Sequence, residues 1–116
     1  MSQPVVLWEI PAMDAGRTRE FYEKLFEWKI DVDVEMNYGV VESSNEGGGI
    51  NGGIGTALNG MPAVTFFVQV DDLEAYLSRA ERLGGTIVAP PTTIPRVGSA
   101  AWFSDPEGNV IGLFAK

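Results

Sequence analysis

The candidate proton-transfer residue of this sequence is Glu9, which interrupts an otherwise apolar run from Val5 to Ile10. If its carboxylate is buried among apolar neighbours, its pKa rises and the group becomes a proton acceptor near neutral pH. If the carboxylate lies at an exposed rim, it is an ordinary surface group. A single carboxylate with no recognisable partner favours the second interpretation.

Two residue types that carry much of enzyme chemistry are absent. The sequence of 116 residues contains no histidine and no cysteine. This composition excludes a Ser-His-Asp triad, thiolate chemistry and disulfides, and it removes the commonest ligands of transition metals. The glycines of residues 47–52 match the dinucleotide-binding spacing, but no helix is predicted after them, so we expect no bound dinucleotide. We predict no other cofactor either.

The composition indicates one compact domain, with 45% hydrophobic residues in 116. The formal net charge of −8 argues against a nucleic-acid partner, because few cations are available to replace phosphate counterions. No apolar run approaches the roughly 20 residues that span a bilayer, and the N-terminus lacks a signal-like pattern. We therefore expect a soluble, cytoplasmic protein without membrane contacts.

The first half of the chain predicts a βαβββ module, about residues 5–57. A strand in the first ten residues leads to Asp14, which stands at an N-cap position, and to an amphipathic helix near 15–27. Phe21, Leu25 and Trp28 recur at helical spacing and predict its buried stripe. Strands follow near 29–34, 38–43 and 50–58, the last rich in glycine. The face of the helix predicted to be solvated carries Arg17, Arg19, Glu20, Glu23, Lys24 and Glu27.

The second half repeats the pattern, about residues 63–114, after a linker-like stretch at 59–62. A strand near 63–70 precedes a helix near 72–83 that is capped by Asp71-Asp72 and ends at Gly84-Gly85. A strand at 86–90, a loop at 91–97 and a hairpin of 99–104 with 109–114 follow. Sliding the sequence by 58 positions lays Asp14 on Asp72, which indicates a duplicated module. The predicted fold is α+β, with two curved mixed sheets around a concave cavity.

The closing hairpin carries a family resemblance. Trp102-Phe-Ser-Asp-Pro-Glu-Gly-Asn109 followed by an apolar strand resembles the end of proteins in the vicinal oxygen chelate superfamily, which includes glyoxalases, bleomycin-resistance proteins and extradiol dioxygenases. The end of the first helix and the stretch around Val70 to Glu74 are also similar to that family. The resemblance covers nearly the whole chain and implies the paired-module fold.

The resemblance also implies where a metal would be held. The family's first-strand ligand positions fall on Leu7 and Thr65, the closing-strand position falls on Gly112, and a fourth falls near Ile54. Leucine and glycine side chains have no donor atom, and a threonine hydroxyl is a weak ligand for transition metals. We therefore predict no metal site.

Alternation along the strands predicts which side chains face the cavity. An apolar wall with a few polar groups is what a small-molecule pocket needs, whereas the alternative is that the aromatic rings only fill space between the sheets. The small residues at Gly112 and Gly52-Gly53 favour the pocket, because they leave the space hard to fill. The predicted ligand-binding residues are Leu7, Glu9, Thr65, Phe67, Gln69, Trp102, Gly112 and Phe114.

Three functions stay open on the sequence alone. One is a metal-independent protein that binds a small, partly apolar ligand in the cavity. Another is a glyoxalase-like lyase or isomerase that acts on a small carbonyl compound with Glu9 as its base, although no electrophile is apparent to stabilise the oxyanion. A third, blander possibility is an accessory domain that binds a protein partner. The resemblance further implies a homodimer with its cavity at or near the contact.

Overall fold

The computed structural model describes residues 2–57, 63–94 and 97–116, and within them the chain is α+β, as predicted. The linker-like stretch predicted at 59–62 lies outside the described residues. No helix of the described part is long and apolar enough to cross a membrane. In chain order the elements are β1 (Val5–Ala12), α1 (Ala15–Phe26), β2 (Lys29–Asp33), β3 (Tyr38–Glu42), β4 (Gly52–Thr56), β5 (Thr65–Gln69), α2 (Leu73–Arg82), β6 (Thr86–Ile94), β7 (Gly98–Ser104) and β8 (Val110–Ala115).

The chain divides into two compact units: the first unit contains residues 7–64, and the second contains residues 1–6 and 65–116. The first unit has the strand order β2-β3-β4-β1, and the second has the order β5-β8-β7-β6. In each unit one pair is parallel, β1 with β4 and β5 with β8, and the other pairs are antiparallel. Each unit is thus a mixed four-stranded sheet with one helix, which is the predicted βαβββ module.

The repeat is visible in the capping of the two helices. The Oδ1 atom of Asp14 accepts a hydrogen bond from Arg17 N at 3.1 Å, and Oδ1 of Asp72 accepts one from Ala75 N at 3.1 Å. These side chains satisfy amide groups that have no partner within the helix. The helix starts predicted from Asp14 and Asp72 are therefore confirmed.

The predicted faces of α1 are wrong at three residues. Arg19, predicted to be solvated, is only 8% exposed, whereas Phe21 and Leu25, predicted to be buried, are 58% and 56% exposed. The inward face instead begins with Ala15 and Arg19, one turn apart, and Gly39 of β3 leaves the space that the arginine stem occupies. The long arginine stem therefore packs as an apolar side chain would, with its charged end satisfied by hydrogen bonds.

The prediction of a loop over 91–97 is also wrong, because β6 continues through Pro90 and Pro91 to Ile94. Proline cannot donate a backbone hydrogen bond, so it is tolerated on edge strands and at bulges. Both conditions hold here. β6 lies at the end of its unit's strand order, and the register with β7 shifts between Ala89 and Thr92.

The closing hairpin is confirmed, with a turn built on Asp105. The Gly108 N–H donates to Asp105 O at 2.9 Å, and Gly108 has a φ of 89°, which glycine adopts without strain. The strands around this turn contribute to the hydrophobic core of the second unit. That core joins α2 to one face of the sheet through Val70, Leu73, Leu77, Ala101 and Leu113.

Candidate functional site

Glu9 has a partner that the sequence did not reveal. The hydroxyl of Tyr38 donates a hydrogen bond of 2.9 Å to Oε2 of Glu9. Trp8 and Gly39, the neighbours of these two residues, contact Trp28 and Arg19 on the side of α1. By alternation along the strands, Glu9 and Tyr38 lie on the sheet face away from α1.

The glycines of β4 make room for this pair. A Cβ atom added to Gly53 or to Gly55 would overlap the ring of Tyr38. The two glycines are two residues apart and so share one face of β4. The ring of Tyr38 lies over this face, and its hydroxyl reaches Glu9. A sequence signal for Tyr38 therefore existed: alternate glycines in one strand, next to an aromatic residue at the start of the preceding strand.

The electrostatics of the pair favour a protonated tyrosine and a carboxylate that holds its proton more tightly than usual. Burial raises the pKa of Glu9, and the hydrogen bond from Tyr38 partly opposes that rise. Burial, together with the nearby Glu9, also raises the pKa of Tyr38 far above its usual value. Tyr38 therefore acts as a neutral hydrogen-bond donor at any physiological pH.

The second carboxylate oxygen of Glu9, Oε1, is the free acceptor of the site. Tyr38 bonds only to Oε2, and the described residues offer no partner to Oε1. No buried side-chain oxygen or nitrogen among the described residues lacks a hydrogen bond, so Oε1 is reachable from solvent. A ligand N–H or O–H group can therefore bind it without displacing Tyr38.

We expect Glu9→Gln to raise the free energy of unfolding at neutral pH. A carboxyl whose pKa is raised on folding stabilises the fold when protonated, and this contribution is lost as the pH rises through the folded-state pKa. Glutamine remains neutral and still accepts the hydrogen bond of Tyr38. In urea unfolding, the advantage of the variant should shrink as the pH is lowered below the usual glutamate value. A constant difference between pH 4 and 7 would contradict a raised pKa.

In the second unit, an aromatic pair occupies the face away from α2. The ring of Phe67 meets the ring of Trp102 edge to face, with 5.6 Å between centroids, and a Cβ added to Gly112 would overlap the Phe67 ring. The space beside Gly112 and Gly52-Gly53 is therefore taken by neighbouring side chains, and the predicted pocket stays a prediction. Each of these glycines has an aromatic ring against it, Phe67 at Gly112, Trp8 at Gly52 and Tyr38 at Gly53.

The other predicted ligand-binding residues have different surroundings. Thr65 is buried, and its hydroxyl donates to the Val110 carbonyl at 2.6 Å, so its oxygen already has a structural role. Gln69 and Phe114 are paired in register on the parallel strands β5 and β8 and share the face of Phe67. Leu7 is half-buried in β1, on the face of Glu9. That these residues bind a ligand stays a prediction.

The positions at which the family resemblance implies metal ligands do not fit a metal. Leu7 and Gly112 have no donor atom, and the hydroxyl of Thr65 donates its proton to a carbonyl. Ile54 is completely buried in β4, where its carbonyl accepts from Arg19 on the side of α1, and its neighbours on the other face are glycines. The described residues also contain no group of three Asp or Glu side chains placed to hold an ion.

We expect the purified protein to hold well under one equivalent of metal after refolding with nickel, zinc, manganese or iron, because three protein ligands are the usual minimum. Elemental analysis after dialysis measures this directly. Stoichiometric metal that resists a chelator would show that other residues supply the ligands.

The fold identifies the class of protein: it has two βαβββ units, and in each unit one face of the sheet is turned away from the helix. The chain belongs to the glyoxalase/bleomycin resistance protein/dioxygenase superfamily, whose sequence model matches residues 5–113. This confirms the resemblance found in the sequence.

Individual relatives are distant. The chain is 24% identical to the anthracycline biosynthesis protein DnrV of Streptomyces peucetius, over 94% of this chain and 46% of that protein. It thus spans less than half the length of the curated relatives it matches. A superfamily member from Vibrio splendidus 12B01 has a TM-score of 0.64 at 15% identity, covering 99% of this chain and 100% of the other. A variant of Streptomyces coelicolor methylmalonyl-CoA epimerase bound to 2-nitronate-propionyl-CoA has a TM-score of 0.64 at 14% identity, covering 100% and 96%. These likenesses show the fold.

Proposed function

We propose that this protein is a metal-independent small-molecule-binding member of its superfamily. The observation that carries the proposal is Oε1 of Glu9, an accessible acceptor on a half-buried carboxylate whose other oxygen is fixed by Tyr38. A positioned polar group beside an otherwise apolar surface gives a ligand its orientation, while apolar contacts supply much of the affinity. Binding of this kind needs neither a metal nor a nucleophile.

The chemistry of the site suggests the ligand class. Glu9 accepts hydrogen bonds and offers none when ionised, so it favours a ligand with a hydroxyl or amino group. The half-buried ring of Trp102 offers aromatic surface on its sheet face, which favours a ligand with an apolar part. A single cavity shared by these residues stays a prediction from the sequence.

A second candidate function is a lyase or isomerase with Glu9 as base, and the raised pKa of Glu9 favours it. In the isomerase form, the carboxylate would take a proton from the carbon beside a carbonyl and return it to another atom of the resulting enolate. The missing element is a group that stabilises the enolate oxygen, because the Tyr38 hydroxyl already donates to Glu9. We therefore place binding first.

A thermal-shift screen of metal-free protein against a library of hydroxyl- and amine-bearing small molecules tests the proposal. A ligand at about 100 times its Kd should stabilise the protein by about 2.7 kcal/mol. Each variant is compared with its own unliganded Tm. The shift should shrink strongly in Glu9→Gln and persist in Glu23→Gln, a matched change of an exposed carboxylate on α1.

The screen also separates the alternatives. Library hits whose thermal shift is unchanged in both Glu9→Gln and Trp102→Ala would overturn the site. A hit that is converted to product, with turnover lost in Glu9→Gln, would favour the enzyme. A screen without a hit would overturn the binding function for this ligand class.

We further propose that the protein forms a homodimer through the exposed side of α1. Phe21, Leu25 and Phe26 are each more than half exposed there, although the ring of Phe26 also packs at a tilt against Trp28, with 5.1 Å between centroids. Charges of both signs flank these residues, Asp14 and Glu20 with Arg17 and Lys24. A surface that is apolar in the middle and carries both signs around it can pair with its own copy about a two-fold axis.

Light scattering at micromolar concentration and moderate salt should give twice the chain mass of 12.5 kDa. Leu25→Glu should shift the mass to that of one chain, because it buries a charge in the contact. The matched control is Val34→Glu, which changes a residue that is 86% exposed outside α1. A single-chain mass that persists on concentrating would refute the dimer. A dimer that persists in Leu25→Glu would show that the contact lies elsewhere on the protein.

A further inference from the structure

A cavity lies within the second unit, on the side of the sheet that faces α2. Its volume is about 330 Å³, near the lower end of the range for small-molecule sites. Its walls are mainly apolar and come from the sheet, the helix and the closing turn. The residues that the argument uses are Tyr76, Arg79, Ala80, Leu83, Phe103 and Asp105.

The cavity exists because α2 ends early over the sheet. The helix stops at Arg82, and the chain turns away at Gly84, whose φ of 105° is left-handed. Leu83, the residue after the helix, is 77% exposed and lies at the rim of the cavity instead of filling it. The half-buried ring of Phe103 is therefore left with open space beside it.

Arg79 gives this apolar cavity a cationic edge. Its guanidinium lies over the ring of Tyr76, at 5.4 Å from the centroid. A cation–π contact of this kind does not use the N–H groups of the guanidinium as hydrogen-bond donors to a ligand, so they stay available. The side chain of Arg79 makes no ion pair or hydrogen bond with the described residues.

Asp105, the carboxylate at the rim, is already occupied. Oδ1 accepts from the backbone N–H groups of Glu107 and Asn109, each at 2.9 Å, and Oδ2 accepts from Nδ2 of Asn109 at 2.9 Å. These bonds lower the pKa of Asp105, the side-chain bond from Asn109 most of all. The carboxylate oxygens of Asp105 thus stabilise the turn, which leaves Arg79 as the charged group available to a ligand.

We propose that this cavity binds a small aromatic carboxylate. The aromatic ring would pack between Tyr76 and Phe103, and the carboxylate would accept two parallel hydrogen bonds from Arg79. This site is separate from the face that carries Glu9 or Phe67 and does not rest on the function proposed above.

Titration of isotope-labelled protein with benzoate, followed by amide NMR, tests the proposal. Saturable shifts with a Kd of about 1 mM or tighter should centre on Tyr76, Ala80, Gly85 and Phe103. Benzyl alcohol and benzylamine, which keep the ring but lack the carboxylate, should bind at least about tenfold more weakly, the loss expected for one charge-assisted contact.

Variants connect the shifts to the residues. Arg79→Gln should weaken benzoate binding about tenfold or more and remove the preference over benzyl alcohol. Arg82→Gln, a matched change in the last turn of the same helix, should leave binding unchanged. Ala80→Leu, which adds bulk to the cavity wall, should weaken both ligands.

Absence of saturable shifts, or equal binding of benzoate to wild type and Arg79→Gln, would overturn the proposal. Glu9→Gln and Trp102→Ala should leave benzoate binding unchanged. Failure of this site can therefore be distinguished from failure of the proposed function.

Discussion

Replacing Arg19 with methionine is expected to lower the free energy of unfolding by about 3 kcal/mol. Nη1 of Arg19 donates to the Asn37 carbonyl at 3.3 Å and to the Ile54 carbonyl at 3.5 Å, and Nη2 donates to Oδ1 of Asn37 at 3.0 Å. Methionine keeps much of the apolar stem but leaves these acceptors without their donor. A buried acceptor that loses its partner bears the cost of desolvation.

Urea unfolding at pH 7 measures the effect, with Arg17→Met as the matched control. Arg17 lies two residues earlier on the same helix and is exposed, so its replacement should change the free energy of unfolding by less than about 0.5 kcal/mol. Equal effects of the two variants would mean that Arg19 does not connect α1 to β4 and to the turn at Asn37.

The second large effect is expected from a single methyl group. Gly112→Ala should destabilise the protein by about 1–3 kcal/mol, because the added Cβ would overlap the ring of Phe67. That ring is only 4% exposed and is held against Trp102, so it has little room to move aside. Thermal or urea unfolding provides the measurement.

Gly16→Ala is the control for this substitution. Gly16 lies in α1, and the nearest atoms to an added Cβ are 3.9 Å away, an ordinary contact distance. Since alanine favours the helix over glycine, this variant should be neutral or more stable by up to about 1 kcal/mol. If Gly16→Ala lost as much stability as Gly112→Ala, the effect would come from replacing a glycine in the backbone and not from overlap with the ring of Phe67.

The features that could be predicted from the sequence are those set by local chemistry. Asp14 and Asp72 cap helices because their short carboxylates reach backbone N–H groups three residues on, whatever surrounds them. The turn at Asp105 likewise follows from a proline and a glycine at fixed positions. Such signals act over a few residues, so they are present in the sequence itself.

The features that were missed depend on distant partners. Arg19 is buried because Gly39, 20 positions along the chain, leaves space for it, and no helical periodicity contains that information. Tyr38 reaches Glu9 across a strand that lies between them in the sheet. The continuation of β6 through two prolines depends on its place at the end of a strand order, which is decided only when the sheet forms.

The pairing of glycines with aromatic rings has an evolutionary consequence. Phe67 covers Gly112, Trp8 covers Gly52 and Tyr38 covers Gly53, so in each pair the volume of one residue occupies the space that the other gives up. Loss of the ring alone leaves a hole, and gain of a side chain at the glycine alone causes overlap. Lineages that diverge at these positions must pass through a less stable intermediate or change both members together. Across homologues, a large residue at position 112 should therefore coincide with a small residue at position 67.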